Sequence, residues 1–273
     1  MVCPTPIGNL EDVTLRVLAA LRDADVVACE DTRRTRVLLD RYGVQAPLVS
    51  YHEHNETARA AELVRRMTSG DVVALVSDAG MPLVSDPGFV LVQACVAAGL
   101  AVEVLPGPSA ALAALVASAL PADSWRFAGF LPRKRAGLEA VFASTETVVA
   151  FESPRRLAAS LATLASVDPE RPVAVCRELT KVYEEVVRGT ASALAERYGV
   201  EEARGEIVVV FGAAAGGDGG PSAEALAAFF ELVDAGARRR TAASVVARLT
   251  GARANDLYKA EPAEDSGSGS GSG

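Results

Sequence analysis

The stretch A-L-V-S-D-A-G-M-P-L-V-S-D-P-G, from Ala74 to Gly88, decides how the fold of this sequence is interpreted. It continues the apolar run Val72–Val76 into a loop that contains the tripeptide V-S-D twice, first before Ala-Gly and then before Pro-Gly. Ligands of open parallel sheets bind beyond the carboxyl ends of the strands, so carboxylates at this point predict a binding loop. Aspartate and glycine also form ordinary turns at strand ends, and the stretch alone leaves that alternative open.

Short apolar runs alternate with helical patterns on both sides of this loop, through the first half of the chain. The predicted strands are Asp25–Cys29, Leu48–Ser50, Asp71–Val76 and Ala101–Leu105. The predicted helices are Glu11–Arg22, Thr32–Tyr42, Thr57–Ser69, Gly88–Ala98 and Ser109–Leu120. Strands that are apolar on both faces and alternate with helices predict an α/β domain whose mostly parallel sheet is covered by helices.

A change of pattern at Pro121–Pro132 predicts that a second domain begins there. Its predicted strands are Thr147–Phe151, Pro172–Cys176, Val182–Val187 and Glu206–Phe211, and its predicted helices are Pro154–Ala165 and Thr190–Tyr198. Val182–Val187 alternates less cleanly than the others, which favours an edge or antiparallel strand and hence a mixed sheet. We expect domains at 1–120 and 121–212, a linker at 213–222, a small helical appendage at 223–260 and a disordered tail at 261–273.

The composition predicts a cytoplasmic globular protein. Half of the residues are apolar, which is enough for a sizeable core, and the formal charge of −8 does not suit a protein coated in nucleic acid. The four cysteines are scattered, which indicates reduced thiols rather than a disulfide framework or a zinc site. No apolar run approaches the ~18 residues of a membrane span, and we expect no signal peptide.

Two further loops, T-P-I-G-N (Thr5–Asn9) and P-G-P-S-A (Pro106–Ala110), also follow short apolar runs. Glycine permits close approach of a backbone to a ligand, and proline makes a loop rigid. Outside the Ser-Gly tail the sequence has no G-x-G-x-x-G and no Walker A motif, so binding of a dinucleotide or ATP is not supported. Two histidines and scattered carboxylates give no metal-ligand pattern, and we expect no metal.

Taken together, these motifs resemble the ribosomal RNA small subunit methyltransferase I family of the tetrapyrrole-methylase-like superfamily. The resemblance rests on T-P-I-G-N-L-E-D, A-C-E-D-T-R-R-T-R-V-L-L, Y-H-E-H-N-E, V-S-D-A-G-M-P-L-V-S-D-P-G, L-P-G-P-S-A and F-E-S-P-R-R, in order from Thr5 to about Lys259. It implies a two-domain tetrapyrrole-methylase-like fold, with S-adenosylmethionine between the domains, and a homodimer. It also implies 2′-O-methylation of a cytidine ribose in the 16S RNA of the small ribosomal subunit. The family usually has a fuller first strand than Met1–Pro4 provides.

The resemblance implies a set of residues that bind S-adenosylmethionine. These are Pro6, Asp78, Ala79, Gly80, Leu83, Ser109, Ala110, Phe151 and Glu152. Ser85 and Asp86 are expected behind them, and Asp86 fits the N-cap of the next helix, so we favour Asp78 as the functional aspartate. Ser109 is also an expected N-cap. Glu152 has an alternative role, a salt bridge to Arg177 between the domains.

Methyl transfer from a sulfonium mainly requires alignment of the acceptor oxygen, and the hydroxyl proton must also be accepted. Glu30, Asp31 and His54 are candidate catalytic residues for that step. Asp31 is equally suited to cap the helix that follows it, and a histidine in a polar loop is often only a surface residue.

Clusters of basic residues predict the contacts with RNA. They are Arg33, Arg34 and Arg36, then Arg133, Lys134 and Arg135, and finally Arg238, Arg239 and Arg240. The last cluster opens a segment that is typical of a helix–turn–helix, with Gly251 in the turn. Two other functions remain open at this stage: a methyltransferase of the same superfamily that acts on a tetrapyrrole or other small molecule, and a non-catalytic factor that binds RNA or assists ribosome assembly.

Overall fold

A computed structural model describes residues 1–214, 221, 223–250, 252 and 254–260. The chain divides into two compact units, Met1–Gly212 and Ala213–Gly273. The predicted disordered tail at 261–273, the predicted turn residue Gly251 and most of the predicted linker lie outside the described residues.

The first lobe of the larger unit contains a parallel three-stranded sheet. Its strands are β1 (Val26–Cys29), β2 (Leu48–Ser50) and β3 (Val73–Leu75), in the order β2-β1-β3. The helices that follow or precede them are α1 (Leu15–Asp23), α2 (Thr32–Arg41), α3 (Glu56–Thr68), α4 (Phe89–Ala97) and α5 (Ala110–Ser118). β1 and β3 are buried along their whole length, which explains why their sequences read as continuous apolar runs.

The expected strand Ala101–Leu105 is wrong. The segment makes only an isolated parallel bridge, between Val104 and Val2, and Val2 makes a second bridge with Leu75 on its other side. Because only Val2 lies between the two segments, the ladder there is a single residue long. This residue thus joins β3 to the segment that leads into P-G-P-S-A.

The second lobe contains a mixed five-stranded sheet, as the fold prediction expects. Its strands are β4 (Trp125–Phe130), β5 (Thr147–Glu152), β6 (Pro172–Arg177), β7 (Glu185–Thr190) and β8 (Ile207–Phe211), in the order β4-β5-β8-β6-β7. β4 is parallel to β5, and the other neighbouring strands are antiparallel. β7 therefore confirms the prediction of an antiparallel edge strand, although it begins three residues later than the predicted Val182–Val187. Helices α6 (Arg135–Phe142), α7 (Pro154–Val167) and α8 (Ala191–Val200) pack on one face.

Helix α5 covers the other face of this second sheet. Ala111, Ala114 and Leu115 pack there against Val149 and Val210, two residues of the central strands. The helix precedes the expected boundary at residue 120, yet it packs on the sheet that follows that boundary. The P-G-P-S-A loop at its start is thereby held between the two lobes.

The smaller unit is a helical cluster. Its helices are α9 (Ala223–Asp234), α10 (Arg239–Thr250) and α11 (Ala254–Lys259), and they pack around Phe229, Val246 and Leu257. Over the residues that the structure describes, no helix is both long and apolar enough to cross a bilayer. The four cysteines are buried as free thiols.

Candidate functional site

A cavity of about 360 Å³ lies between the two lobes of the larger unit. The first lobe contributes Ile7, Ala79, Gly80, Met81, Val84, Ser85, Asp86, Ser109 and Ala110. The second lobe contributes Phe130, Phe151, Glu152, Ser153, Pro154, Cys176, Leu179, Gly205, Glu206, Ile207 and Val208. Its volume and mostly apolar walls with a few polar groups are typical of a site for a small organic molecule.

The V-S-D-A-G loop is fixed to the T-P-I-G-N loop by backbone pairing. Thr5 and Gly80 exchange two hydrogen bonds, each with an N···O distance of 2.9 Å. The hydroxyl of Ser77 donates to the carbonyl of Gly80 at 3.1 Å, and that of Thr5 donates to the carbonyl of Ser77 at 3.0 Å. Gly80 has a φ of +78°, a conformation that favours glycine. The first wall of the cavity is therefore a rigid, hydrogen-bonded loop.

The second half of that loop is strained. Leu83 and Ser85 adopt left-handed conformations, with φ of 72° and 67°, although neither is glycine. Such conformations cost about 1–3 kcal/mol each and are found where the surrounding packing imposes them, often at functional sites. Leu83 packs against the hydrophobic cluster around β3 and α4, which anchors the loop, while Ser85 and Asp86 line the cavity.

The interpretation of Asp86 as a helix N-cap is wrong. Helix α4 begins at Phe89, its N-cap is Gly88, and no side chain caps it. Asp86 instead lines the cavity, where burial raises the pKa of its carboxyl to about 6, with the nearby charges of Glu30 and Asp78 adding to the effect. A half-buried carboxylate with a pKa near neutrality is a candidate for proton transfer.

Asp78 does not line the cavity. Its Oδ1 accepts a hydrogen bond from the backbone amide of Asp31 at 3.0 Å, and its Oδ2 lies 3.4 Å from the guanidinium of Arg34. It therefore connects the carboxyl end of β3 to the start of α2. Pro6 and Leu83 are also not among the residues that line the cavity, so contacts of these three with S-adenosylmethionine stay predictions.

The other residues predicted to bind the cofactor come together in the cavity wall. They are Ala79, Gly80, Ser109, Ala110, Phe151 and Glu152. The prediction of Ser109 as an N-cap is confirmed, because its hydroxyl accepts a hydrogen bond from the amide of Leu112 at 3.4 Å. Whether these six residues contact the cofactor stays a prediction.

Glu152 is buried, with 3% of its surface exposed. Its Oε1 accepts a hydrogen bond from the amide of Ser153 at 2.7 Å, and its Oε2 accepts one from the hydroxyl of Ser160 at 2.5 Å. Arg156 lies 3.4 Å away, whereas Arg177 pairs with Glu185 on the neighbouring strand at 3.2 Å. The alternative of a salt bridge between Glu152 and Arg177 is therefore wrong, because both side chains have partners within their own lobe.

The three predicted catalytic residues lie outside the cavity lining. Glu30 is half-buried, and burial, followed by the charge of Asp78, raises the pKa of its carboxyl. Asp31 caps α2, as the alternative interpretation expected, and hydrogen bonds from Arg33 lower its pKa to about 2. His54 is exposed. Across the described ranges, no group of His, Cys, Asp and Glu is arranged to hold a metal ion.

Eight of the nine predicted basic residues are exposed, and three of these eight pair with carboxylates. Arg33 pairs with Asp31, Arg34 with Asp78 and Arg135 with Glu139. The exposed members that remain are Arg36, Arg133, Lys134, Arg238 and Arg240.

Arg239 is committed to the packing of the helical unit. Its guanidinium donates to the carbonyls of Tyr258 at 3.1 Å and of Ala260 at 2.6 Å, and it lies over the ring of Phe229. Arg238 and Arg240 are thus the better placed members of the third predicted RNA-binding cluster.

Sequence reasoning missed the apolar contribution of the second lobe. The missed residues include Phe130, Cys176, Leu179, Ile207 and Val208. Most belong to strands, where side chains alternate between faces, and the sequence does not show which face covers a ligand.

Comparisons with known proteins place this chain in a family. The family model described as tetrapyrrole (corrin/porphyrin) methylases matches residues 2–195. A relative from Mesorhizobium japonicum, named ribosomal RNA small subunit methyltransferase I, is 46% identical over 275 residues, which covers 98% of this chain and 93% of the relative.

Two solved structures of uroporphyrin-III-C-methyltransferase from Thermus thermophilus resemble the fold. One is 26% identical, with a TM-score of 0.57 over 76% of this chain and 91% of that chain. The other is complexed with S-adenosyl homocysteine; it is 23% identical, with a TM-score of 0.55 over 77% of this chain and 95% of that chain.

Proposed function

Because the chain belongs to the tetrapyrrole methylase family, and within it to the ribosomal RNA small subunit methyltransferase I group, we propose that it is an S-adenosylmethionine-dependent rRNA methyltransferase. The reaction is 2′-O-methylation of a cytidine ribose in the 16S RNA of the small ribosomal subunit. The observation that carries this proposal is the 46% identity to the Mesorhizobium japonicum relative over 98% of the chain. The cavity between the lobes supplies the matching site.

The residues of the cavity suit S-adenosylmethionine. Apolar walls from Ile7, Ala110 and Val208 fit the adenine and the methionine chain, and the carboxylates of Glu152 and Glu206 supply acceptors for an ammonium and for hydroxyls. Charge-assisted hydrogen bonds of this kind are among the strong ones. The bound molecule supplies a methyl group that its sulfonium already activates, so the protein has to position rather than activate the donor.

The protein must also accept the proton of the ribose hydroxyl. Glu30, Asp31 and His54 were the candidates, and Asp31 is the weakest because its pKa is lowered to about 2 and it caps α2. Asp86 lines the cavity and carries a pKa of about 6, raised by burial and by Glu30. We therefore assign proton acceptance to Asp86, with burial first and the charge of Glu30 second in raising its pKa toward the working pH.

The substrate of this site is RNA rather than a tetrapyrrole. Exposed Arg133 and Lys134 immediately follow Leu131-Pro132, and Phe130 before them lines the cavity, so positive charge adjoins the mouth. Arg238 and Arg240 add charge in the helical unit. The strained but anchored loop around Asp86 argues against a non-catalytic factor, because a pocket without activity has no need to retain that strain.

The proposal includes a homodimer in the cytoplasm. Helices α4 and α5 contain no charged residue, and both expose large apolar side chains: Phe89 at 64% and Val96 at 66% on α4, Leu112 at 51% and Val116 at 80% on α5. Large exposed apolar side chains on two helices without charge support an interface with another protein surface. A second copy of this chain is the occupant, and light scattering at micromolar concentration should give twice the mass of 28.3 kDa.

The test is the transfer of a labelled methyl group to isolated small ribosomal subunits, free 16S RNA and whole ribosomes, followed by mapping of the modified nucleotide. The proposal expects one 2′-O-methylated cytidine in the small-subunit RNA. Label on a base, or transfer only to a tetrapyrrole, would overturn it.

A further inference from the structure

Phe130 is a large apolar side chain that is 61% exposed, and it lines the cavity at the same time. Its ring meets the ring of Phe151 edge to face, with 5.4 Å between the centroids. Phe151 also lines the cavity and is half-buried. Phe130 therefore stands at the mouth, with one side on the cavity wall and the other open to solvent.

An irregularity in β4 determines this orientation. Phe127 pairs with Val149 of β5, and Phe130 pairs with Phe151, so three steps along β4 correspond to two steps along β5. Gly129 lies in this irregular part of β4 and has a φ of +65°. Side chains three apart on a regular strand point to opposite faces, but here both Phe127 and Phe130 contact the ring of Phe151, at 5.0 and 5.4 Å. The bulge has re-aimed Phe130 toward the cavity, a common role of bulges beside active sites.

The same bulge adjoins the loop that carries Asp86. A methyl group placed on the Cα of Gly129 would lie 3.8 Å from the hydroxyl oxygen of Ser85, the residue before Asp86. Both Ser85 and Asp86 line the cavity. Phe130 from the second lobe and Asp86 from the first lobe thus line the same cavity, and the segments that carry them meet at Gly129 and Ser85.

We propose that Phe130 is the stacking platform for the base of the target nucleotide, which leaves the RNA stack so that its ribose reaches the cavity. This inference rests on the proposed function. Enzymes that modify single nucleotides commonly extrude them, and bases stack on exposed aromatic rings in RNA-binding sites. The basic residues Arg133 and Lys134 follow in the same segment and supply charge for the flanking phosphates.

Three substitutions at this position separate stacking from other roles. Phe130→Ala removes the ring, Phe130→Leu keeps apolar bulk without a π face, and Phe130→Trp keeps an aromatic face. Tyr183→Ala is the matched control, since Tyr183 is an aromatic residue that is 73% exposed and does not line the cavity. The measurements are KM and kcat for small ribosomal subunits, equilibrium binding of those subunits without methyl transfer, and affinity for S-adenosylmethionine by calorimetry.

The platform predicts that Ala and Leu at position 130 raise KM and the dissociation constant for the subunits by roughly five- to a hundredfold. Phe130→Trp should restore KM and the dissociation constant to wild-type values. In all three variants kcat at saturation and affinity for S-adenosylmethionine should stay near wild type. Tyr183→Ala should leave all four quantities unchanged. Full activity of Phe130→Leu, or an equal loss of donor affinity in Phe130→Ala, would overturn the inference. If the binding of small ribosomal subunits depends on the ring of Phe130 but no methyl group is transferred, the stacking role is supported and only the proposed methyltransferase function fails.

Discussion

Asp78 and Asp31 are joined by a hydrogen bond of 3.0 Å from the backbone amide of Asp31 to the carboxylate of Asp78. The bond links the segments that follow the carboxyl ends of β3 and β1, and the same two segments carry Asp86 and Glu30. It also places the charge of Asp78 where it raises the pKa of both Glu30 and Asp86.

Asp78→Ala should therefore destabilise the protein. The amide of Asp31 loses its acceptor, which costs about 1–3 kcal/mol of unfolding free energy for a partly buried group. Asp78→Asn keeps an acceptor oxygen and should recover most of that loss in urea denaturation. Equal stability of all three proteins would show that the link is not significant. If Asp78 also contacts S-adenosylmethionine, both variants should bind it roughly ten- to a hundredfold more weakly by calorimetry.

Asp86→Asn should lower the single-turnover rate of methylation by roughly 10²–10⁴-fold, with donor affinity retained. In the wild type the ionised carboxylate is the active form, so the rate should rise with pH through about 6 and level off above it. The rate of the Asp86→Asn variant should not show this rise with pH. Because burial raises the pKa of Asp86, its ionisation opposes folding, and Asp86→Asn should be more stable than wild type at pH 7 but not at pH 3. A rate near wild type with an unchanged pH profile would exclude Asp86 as the acceptor.

Glu30→Gln tests the electrostatic coupling between the two carboxylates. Removing the negative charge lets Asp86 ionise more easily, so the rising limb of the pH profile should move to lower pH. We expect a smaller loss of rate at pH 7.5 than for Asp86→Asn, because Glu30 does not line the cavity. If Glu30→Gln lost as much rate as Asp86→Asn, and the rising part of its pH profile did not move, Glu30 itself would be the proton acceptor. His54→Ala in the same assay tests the remaining candidate, and we expect a rate near wild type because His54 is exposed and lies outside the cavity lining.

Arg238 and Arg240 should bind RNA phosphates, while Arg239 should stabilise the helical unit. Changing the first two together to alanine should make the salt slope of subunit binding shallower by roughly 0.7–0.9 for each phosphate that is no longer neutralised, with the fold unchanged. Arg239→Ala should instead lower the melting temperature of the helical unit, since the carbonyls of Tyr258 and Ala260 are left without this donor. The same slope before and after the double change would mean that this surface does not bind RNA.

The strands that alternate with helices could be predicted from the sequence because they are buried on both faces, as Val26–Cys29 shows. β4 and α6 were missed. Arg126 and Gly129 interrupt the apolar pattern of β4, and Gly137 weakens the helical pattern of α6. Gly129 interrupts the pattern because it forms the bulge of β4. Packing against neighbouring elements stabilises both β4 and α6 although their intrinsic propensities are weak.

Residues that line the cavity can be predicted where a sequence motif determines the loop that carries them. They cannot be predicted where the packing of neighbouring elements determines which side chains face the cavity. Gly80 and Ser109 belong to loops whose composition indicates their position. S-D-P-G also fits a capped helix with proline in its first turn, so the sequence wrongly predicts Asp86 as an N-cap. In the structure Gly88, with a φ of +139°, ends the loop, and a Cβ there would clash with Leu83 and Leu75. That close packing, and the place of Asp86 in the cavity wall, are visible only in the fold.

Calorimetric titration of S-adenosylmethionine into wild type and into Ala110→Leu tests most directly that the cavity between the lobes is the donor site. Ala110 lines the cavity at the start of α5, and the added carbons occupy part of its volume. Ala113→Leu, one turn further along the same helix and outside the cavity lining, is the control. We predict one molecule bound per chain, affinity at least roughly tenfold weaker for Ala110→Leu, and affinity unchanged for Ala113→Leu. Wild-type affinity in a folded Ala110→Leu protein would contradict this location of the site.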